Sequence, residues 1–167
     1  MTDKQKPTVS RDLWIKVAAF TLIRLVLNTS LRMVYPYLTT FQAGMGVSLK
    51  QITTALSVRS IAAVITPFFS YISDRHGRKK GMLLGLGFFT AGMLAVVILQ
   101  NFTGFVIGMI LGLLGKFIFD PSMLAGLGEE APYQRRSQVL ATTELSWSWA
   151  FLLGVPIVGV LLTFGNW

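Results

Sequence analysis

The stretch SDRHGRKKG, Ser73 to Gly81, places one acid, four Lys or Arg residues and two glycines between two long apolar runs. SIAAVITPFFSYI (Ser60–Ile72) precedes it, and GMLLGLGFFTAGMLAVVIL (Gly81–Leu99) continues from its last residue. The second run is 19 residues without a charge, and crossing the hydrocarbon core of a bilayer takes roughly 20 predominantly apolar residues. A charged gap between two such runs has two readings. It is a surface loop held on one side of a membrane by its positive charge, or it is a hinge between helices that move.

The rest of the composition agrees with a membrane setting. Of 167 residues, 53% are hydrophobic and 13% charged, and the mean hydropathy is +0.61, too apolar for an ordinary soluble domain. The net charge of +8 does not point to nucleic acid. Its bases sit in short gaps between apolar runs, with no polar face of interleaved bases and aromatics. No cysteine and a single histidine, His76, leave no thiolate or His-based metal cluster, so no metal or cofactor is expected. The basic N-terminus is followed by no small-residue cleavage site, and the first apolar run reads as a retained span.

The expected fold class is an all-α membrane protein with five spans, near residues 13–38, 49–72, 81–99, 102–127 and 137–164, after a tail of residues 1–12. Short links such as Gln100–Asn101 make sequential helices antiparallel neighbours. Orientation follows from the bases near span ends. Lys4, Lys6, Arg11, Lys16, Arg75, Arg78, Lys79, Lys80, Arg135 and Arg136 fall on one side, and only Lys50 on the other. The tail and the loops at 73–80 and 129–136 are therefore expected in the cytoplasm. Five is an odd total for a self-contained bundle, so the expectation is a sequence that stops early, or a subunit that assembles with a second copy.

Six ionisable residues lie inside the apolar spans: Arg24, Arg32, Arg59, Lys116, Asp120 and Glu144. Each costs about 2.5–3.5 kcal/mol at the centre of a spanning helix, so each is expected to face protein, an opposite charge or water. Arg24, Asn28 and Arg32 recur at every fourth position and form one stripe. Lys116 and Asp120 are also one turn apart. Glu144, beside Trp147, has no base within a turn on its own helix, so it is protonated, paired across helices, or wet. That makes it the natural candidate for a proton carrier. Arg24, Asn28, Arg32, Arg59 and Trp147 are candidate cavity residues, and Glu144, Asp120 and Lys116 candidates for proton coupling. Plainer readings stand beside these: a neutralising Lys116–Asp120 pair, and arginines that snorkel to opposite interfaces. Gly154, Pro156 and Gly159 interrupt the fifth span and are candidate flexing points. Gly104–Gly108–Gly112 and Gly81–Gly85 have the small-x-x-x-small spacing of close helix contact.

Ser70-Tyr71-Ile72-Ser73-Asp74-Arg75-His76-Gly77-Arg78-Lys79 resembles the G-x-L-a-D-R-x-G-R-[RK] signature of major facilitator superfamily transporters, found between their second and third spans. The match covers Asp74, Arg75, Gly77, Arg78 and Lys79, and departs at Ser70, where the signature has glycine. Gly154-Val155-Pro156-Ile157-Val158-Gly159 is similar to the G-P-x-x-G motif of antiporter members, with Val155 inserted. Lys116 stands near the position where many members carry an arginine, and Glu130-Ala131-Pro132 with Arg135-Arg136 resembles their link between the fourth and fifth spans. The resemblance implies twelve spans in two six-helix halves, each built of two inverted three-helix repeats. This chain would supply helices one to five of the first half.

On that resemblance Asp74 caps the third helix or accepts from the arginines, Gly77 makes a tight turn, and the loop latches the cytoplasmic side. The implied function is a secondary transporter moving a small solute by alternating access. Proton coupling through Glu144 or Asp120 with efflux by antiport is one form of it, and a cavity lined with Arg24, Arg32 and Arg59 could instead favour an anionic substrate. It would sit in a bacterial inner membrane, and its partners would be lipid, solute, protons and the remainder of the transporter or a second copy. The alternative is a truncated or half-size membrane subunit without transport of its own. An intramembrane enzyme is disfavoured, because the chain has no His–Asp pair, nucleophile elbow, H-E-x-x-H or phosphate loop.

Overall fold

A computed structural model describes the backbone of residues 8–164, and their side chains except at 62, 63 and 65–74. Among the described residues the chain is helical, with no strand. Helix α1 runs over Arg11–Arg32, α2 over Leu38–Met45, α3 over Leu49–His76, α4 over Arg78–Leu99 and α5 over Phe102–Glu130. A short 3-10 turn at Tyr133–Arg135 leads into α6, Arg136–Trp149; a π-helical segment, Ala150–Gly154, joins α6 to α7, Val155–Phe164.

Each boundary has a local cause. Ser10 caps α1 by accepting from the amide of Leu13 at 3.2 Å. The helix stops at Arg32, short of residue 38, in a turn around Pro36, which disfavours helical backbone at the preceding residue. Gly46, with φ of +64°, closes α2 in the left-handed conformation that glycine adopts without cost. Asn101 caps α5 through an amide N–H of Gly104, at 2.9 Å. With Gln100 it turns α5 back along α4 as its antiparallel neighbour.

Among the described residues α1, α4, α5 and the continuous run Tyr133–Phe164 are long and apolar enough to cross a membrane. Helix α3 has 28 residues, about 42 Å at 1.5 Å per residue, and many of its side chains lie outside the described set. Large apolar residues line the outside of the spans: Leu83, Leu94, Val97 and Ile98 on α4, and Ile157, Val160, Leu161 and Phe164 on α7. An apolar exterior wrapped around buried charges belongs in lipid. The chain is an integral membrane protein.

Two apolar clusters stack along α1. Leu13, Val17 and Leu27 pack with Phe89, Phe119, Met123, Leu127 and Val139. Leu31 and Val34 pack with Phe41, Ile52, Phe105 and Met109. The tightest seam is α4 against α5. A Cβ added at Gly115 would lie 2.5 Å from the carbonyl oxygen of Gly85 and 2.6 Å from the amide of Phe89. A Cβ at Gly85 would lie 2.7 Å from the carbonyl of Gly115. Backbone thus meets backbone, as the small-residue spacing of Gly81–Gly85 anticipates, although Gly115 is a partner beyond the Gly104–Gly108–Gly112 ladder. Gly115→Ala should therefore destabilise the protein by about 1–3 kcal/mol, the usual range for overpacking. Gly87→Ala, with nothing within 4 Å of the new carbon, should not. Thermal unfolding in detergent reads both, and equal midpoints for the two variants would remove the seam from the account.

Candidate functional site

The polar stripe of α1 meets α5 and α6. Arg24 lies mid-helix, buried, and its guanidinium reaches a carboxylate on each of the two other helices. Nε donates to Asp120 Oδ1 at 3.2 Å and Nη1 donates to Glu144 Oε1 at 2.7 Å. Nη2 adds longer contacts to the second oxygens, 3.5 Å to Asp120 and 3.4 Å to Glu144, and Nη1 also reaches Thr143 Oγ1 at 3.3 Å. The planar fork of arginine suits such double recognition, which lysine's point charge does not provide. One turn away on α5, Lys116 pairs with the remaining side of Asp120. Two cations and two carboxylates from three helices form one connected group.

Burial differs across the group. The side chains of Arg24 and Asp120 are 3% and 14% exposed, whereas Glu144 is 51% exposed. Glu144 is therefore both paired across helices and accessible, the combination of two alternatives that its isolation in sequence leaves open. The buried face of α6 carries Val139, Thr143 and Ser146, and Glu144 lies at its edge.

The stripe continues outward. Asn28 Nδ2 donates to Ser146 Oγ at 3.3 Å, while Asn28 Oδ1 and the Thr29 hydroxyl are buried with no protein partner. Arg32 lies against two rings, its guanidinium carbon 3.8 Å from the centroid of Trp147 and 4.5 Å from that of Phe151. The ammonium of Lys116 is 5.1 Å from the same indole. Arg24, Asn28, Arg32, Trp147, Lys116, Asp120 and Glu144 are thus brought together.

Arg59 is not with them. It donates to the carbonyl of Leu31 at 3.3 Å and to the hydroxyl of Tyr35 at 2.6 Å, beside Met109 Sδ at 3.5 Å. A cation at the carbonyl end of α1 is a favourable helix-terminus contact. Gly154 and Gly159 also have identifiable neighbours. Gly154 lies against Thr29, and Gly159 against the Tyr37 hydroxyl, which donates to the carbonyl of Val155 at 2.9 Å. Pro156 lacks the N–H that continues a helix, and the π-helical Ala150–Gly154 segment ends two residues before it.

At the loop, Gly77 has φ of +95° and holds the N-cap position of α4, with no side-chain cap. Asp74 lies inside α3, and the expected role of its side chain falls outside the described residues. Arg78 donates to Glu129 Oε1 from Nε at 3.0 Å. Lys16 pairs with Glu130 at 2.7 Å. Arg75 and Lys79 are exposed. These contacts join the start of α4 to the end of α5, and α1 to α5. Among the described residues no group of three or more His, Cys, Asp or Glu is placed to hold a metal ion.

Sequence reasoning missed Thr143, Ser146, Phe151 and the π-helical segment. Pro156 signals the last; the others carry no signal beyond their position on a buried helix face. Arg24→Met should leave Asp120 and Glu144 without their shared cation and cost about 3–5 kcal/mol, as breaking a buried ion pair does. Lys16→Met breaks a half-exposed pair and should cost under about 1 kcal/mol. Denaturant titration in detergent distinguishes them; similar losses would contradict the ranking.

Comparison with known proteins agrees with this architecture. The family model for the Major Facilitator Superfamily matches residues 20–167. Over 106 residues, covering 62% of this chain and 26% of its relative, the chain is 31% identical to the uncharacterized MFS-type transporter YwfA of Bacillus subtilis (strain 168). Over 162 residues, covering 96% of this chain and 34% of its relative, it is 28% identical to the inner membrane transport protein YajR of Escherichia coli (strain K12). The chain spans about a third or less of the length of these relatives, and no solved structure matches it. With the signature loop, the helical membrane fold and a family match over most of its length, the chain belongs to the major facilitator superfamily.

Proposed function

We propose that the chain forms part of a secondary transporter that moves a small solute by alternating access, with protons as the coupling ion. The observation that carries this reading is the ion group Arg24–Asp120–Glu144–Lys116, held by three helices of a transporter-family fold. A proton arriving at half-exposed Glu144 neutralises one of the two anions that hold Arg24. The guanidinium then rests on Asp120 alone, which it shares with Lys116, and the tie between α1 and α6 weakens. Two arrangements of one helix pair, biased by a proton, are what coupling requires. The nearby π-helical segment and Pro156 supply a place where α6 and α7 bend.

The loop at Asp74–Lys79 acts in this reading as a latch on the cytoplasmic side, with Gly77 making the turn and Lys79 exposed. The excess of bases at 73–80 and 135–136 supports a cytoplasmic side for those loops and for the N-terminus. The likeness to an inner membrane transport protein of E. coli supports a bacterial inner membrane. The lean towards efflux by antiport rests on the likeness of Gly154–Gly159 to the antiporter motif. Glu144→Gln should abolish transport driven by a pH gradient while leaving solute binding within about threefold. Proteoliposomes with and without an imposed gradient measure it, and proton-driven transport at the wild-type rate in this variant would refute the coupling role.

A further inference from the structure

The ion group leaves one cation over. Arg24, Arg32 and Lys116 face the junction of α1, α5 and α6, and among the described residues Asp120 and Glu144 are the carboxylates that pair there. Both carboxylates hold Arg24, and Asp120 also holds Lys116. The contacts of Arg32 are ring faces, Trp147 at 3.8 Å and Phe151 at 4.5 Å. The pull of a ring on a guanidinium is smaller than the cost of keeping that charge within a membrane span.

Arg32 does not escape to the interface. Its Cα belongs to the last turn of α1, but its head group shares the Trp147 indole with Lys116. Lys116 is fourteen residues from either end of α5, near mid-depth. Side chains on a helix point back towards its N-terminus, and here that direction carries the guanidinium inward. Snorkelling would require the opposite. A guanidinium stacked on a ring also keeps its N–H donors at its edge, free for a planar acceptor. Trp147 and Phe151 beside it are 37% and 53% exposed, apolar faces on the accessible side of the site.

We propose that Arg32, Trp147 and Phe151 form the subsite for a flat, aromatic monoanion. Its carboxylate takes the edge of Arg32, and its ring lies against the exposed parts of Trp147 and Phe151. One surplus charge calls for one negative charge, and a fork with in-plane donors favours a carboxylate over a spherical anion. This rests on the transporter reading only in making the ligand a transported solute; the binding does not require a gradient.

Equilibrium dialysis of the purified protein in uncharged detergent tests it, with radiolabelled benzoate and its neutral isostere benzamide as probes. Benzoate should bind at least about tenfold more tightly than benzamide. Arg32→Gln should erase that preference, and Arg32→Lys should keep only part of it, because lysine retains the charge without the fork. Trp147→Leu should weaken benzoate binding severalfold while the preference survives. Equal binding of the two probes, no binding of either, or a preference unchanged in Arg32→Gln overturns the proposal. If Arg32→Gln does not fold, wild-type benzoate affinity in Arg32→Lys does the same. An anionic phospholipid that co-purifies with the wild type, blocks benzoate and is lost from the variants would also overturn it, assigning Arg32 to a lipid headgroup. Failure of proton coupling at Glu144 leaves this result untouched, and loss of the benzoate preference leaves the transport reading standing.

Discussion

An arginine in the middle of an apolar helix has to be satisfied from outside that helix, and Arg24 sets the arrangement of the three helices around it. Its fork takes one carboxylate from α5 and one from α6. With Arg24 fixed, the rotation of α1 about its own axis is fixed, because Asn28 and Arg32 follow on the same stripe. Leu13, Val17 and Leu27 then enter the apolar core, and Ile15, Leu22 and Val26 are left on the exterior. Asp120 ties Lys116 into the same group, so α5 is oriented by the same requirement.

The two sides of the molecule differ in how they are held. Helices α4 and α5 meet backbone to backbone through Gly85 and Gly115, a contact with no room for a side chain to give way. The junction of α1 with α6 and α7 is held instead by an arginine fork, an amide–hydroxyl contact and the Tyr37–Val155 hydrogen bond. It also contains the π-helical segment and Pro156. Polar contacts with alternative partners can rearrange where a close-packed glycine seam cannot. A rigid pair beside an exchangeable one suits a helix bundle in which one part moves against another.

Much of this was legible in the residues. Charge-free runs, the distribution of bases and D-R-x-G-R-K named a membrane fold and its family, because lipid imposes length and charge rules that sequence displays directly. The four-residue period of Arg24, Asn28 and Arg32 gave their common face for the same geometric reason. Partners across helices were not legible, since Arg24 is 96 and 120 residues away from the carboxylates it joins. Arg59 read as a cavity residue because a charge inside a span shows its cost and not its direction. Its contacts with the Leu31 carbonyl and the Tyr35 hydroxyl become visible only once α3 is packed against the end of α1. The first helix read as ending near residue 38, because the apolar run continues through the turn that Pro36 enforces.

The most direct measurement of the central claim is a double-mutant cycle between Arg24→Met and Glu144→Gln, read as unfolding free energy in detergent. If one fork joins α1 to α6, the two substitutions should couple by at least about 1 kcal/mol, within the range found for residues in direct contact. Additive effects would mean that Arg24 and Glu144 act independently, and that something other than this arginine positions the three helices.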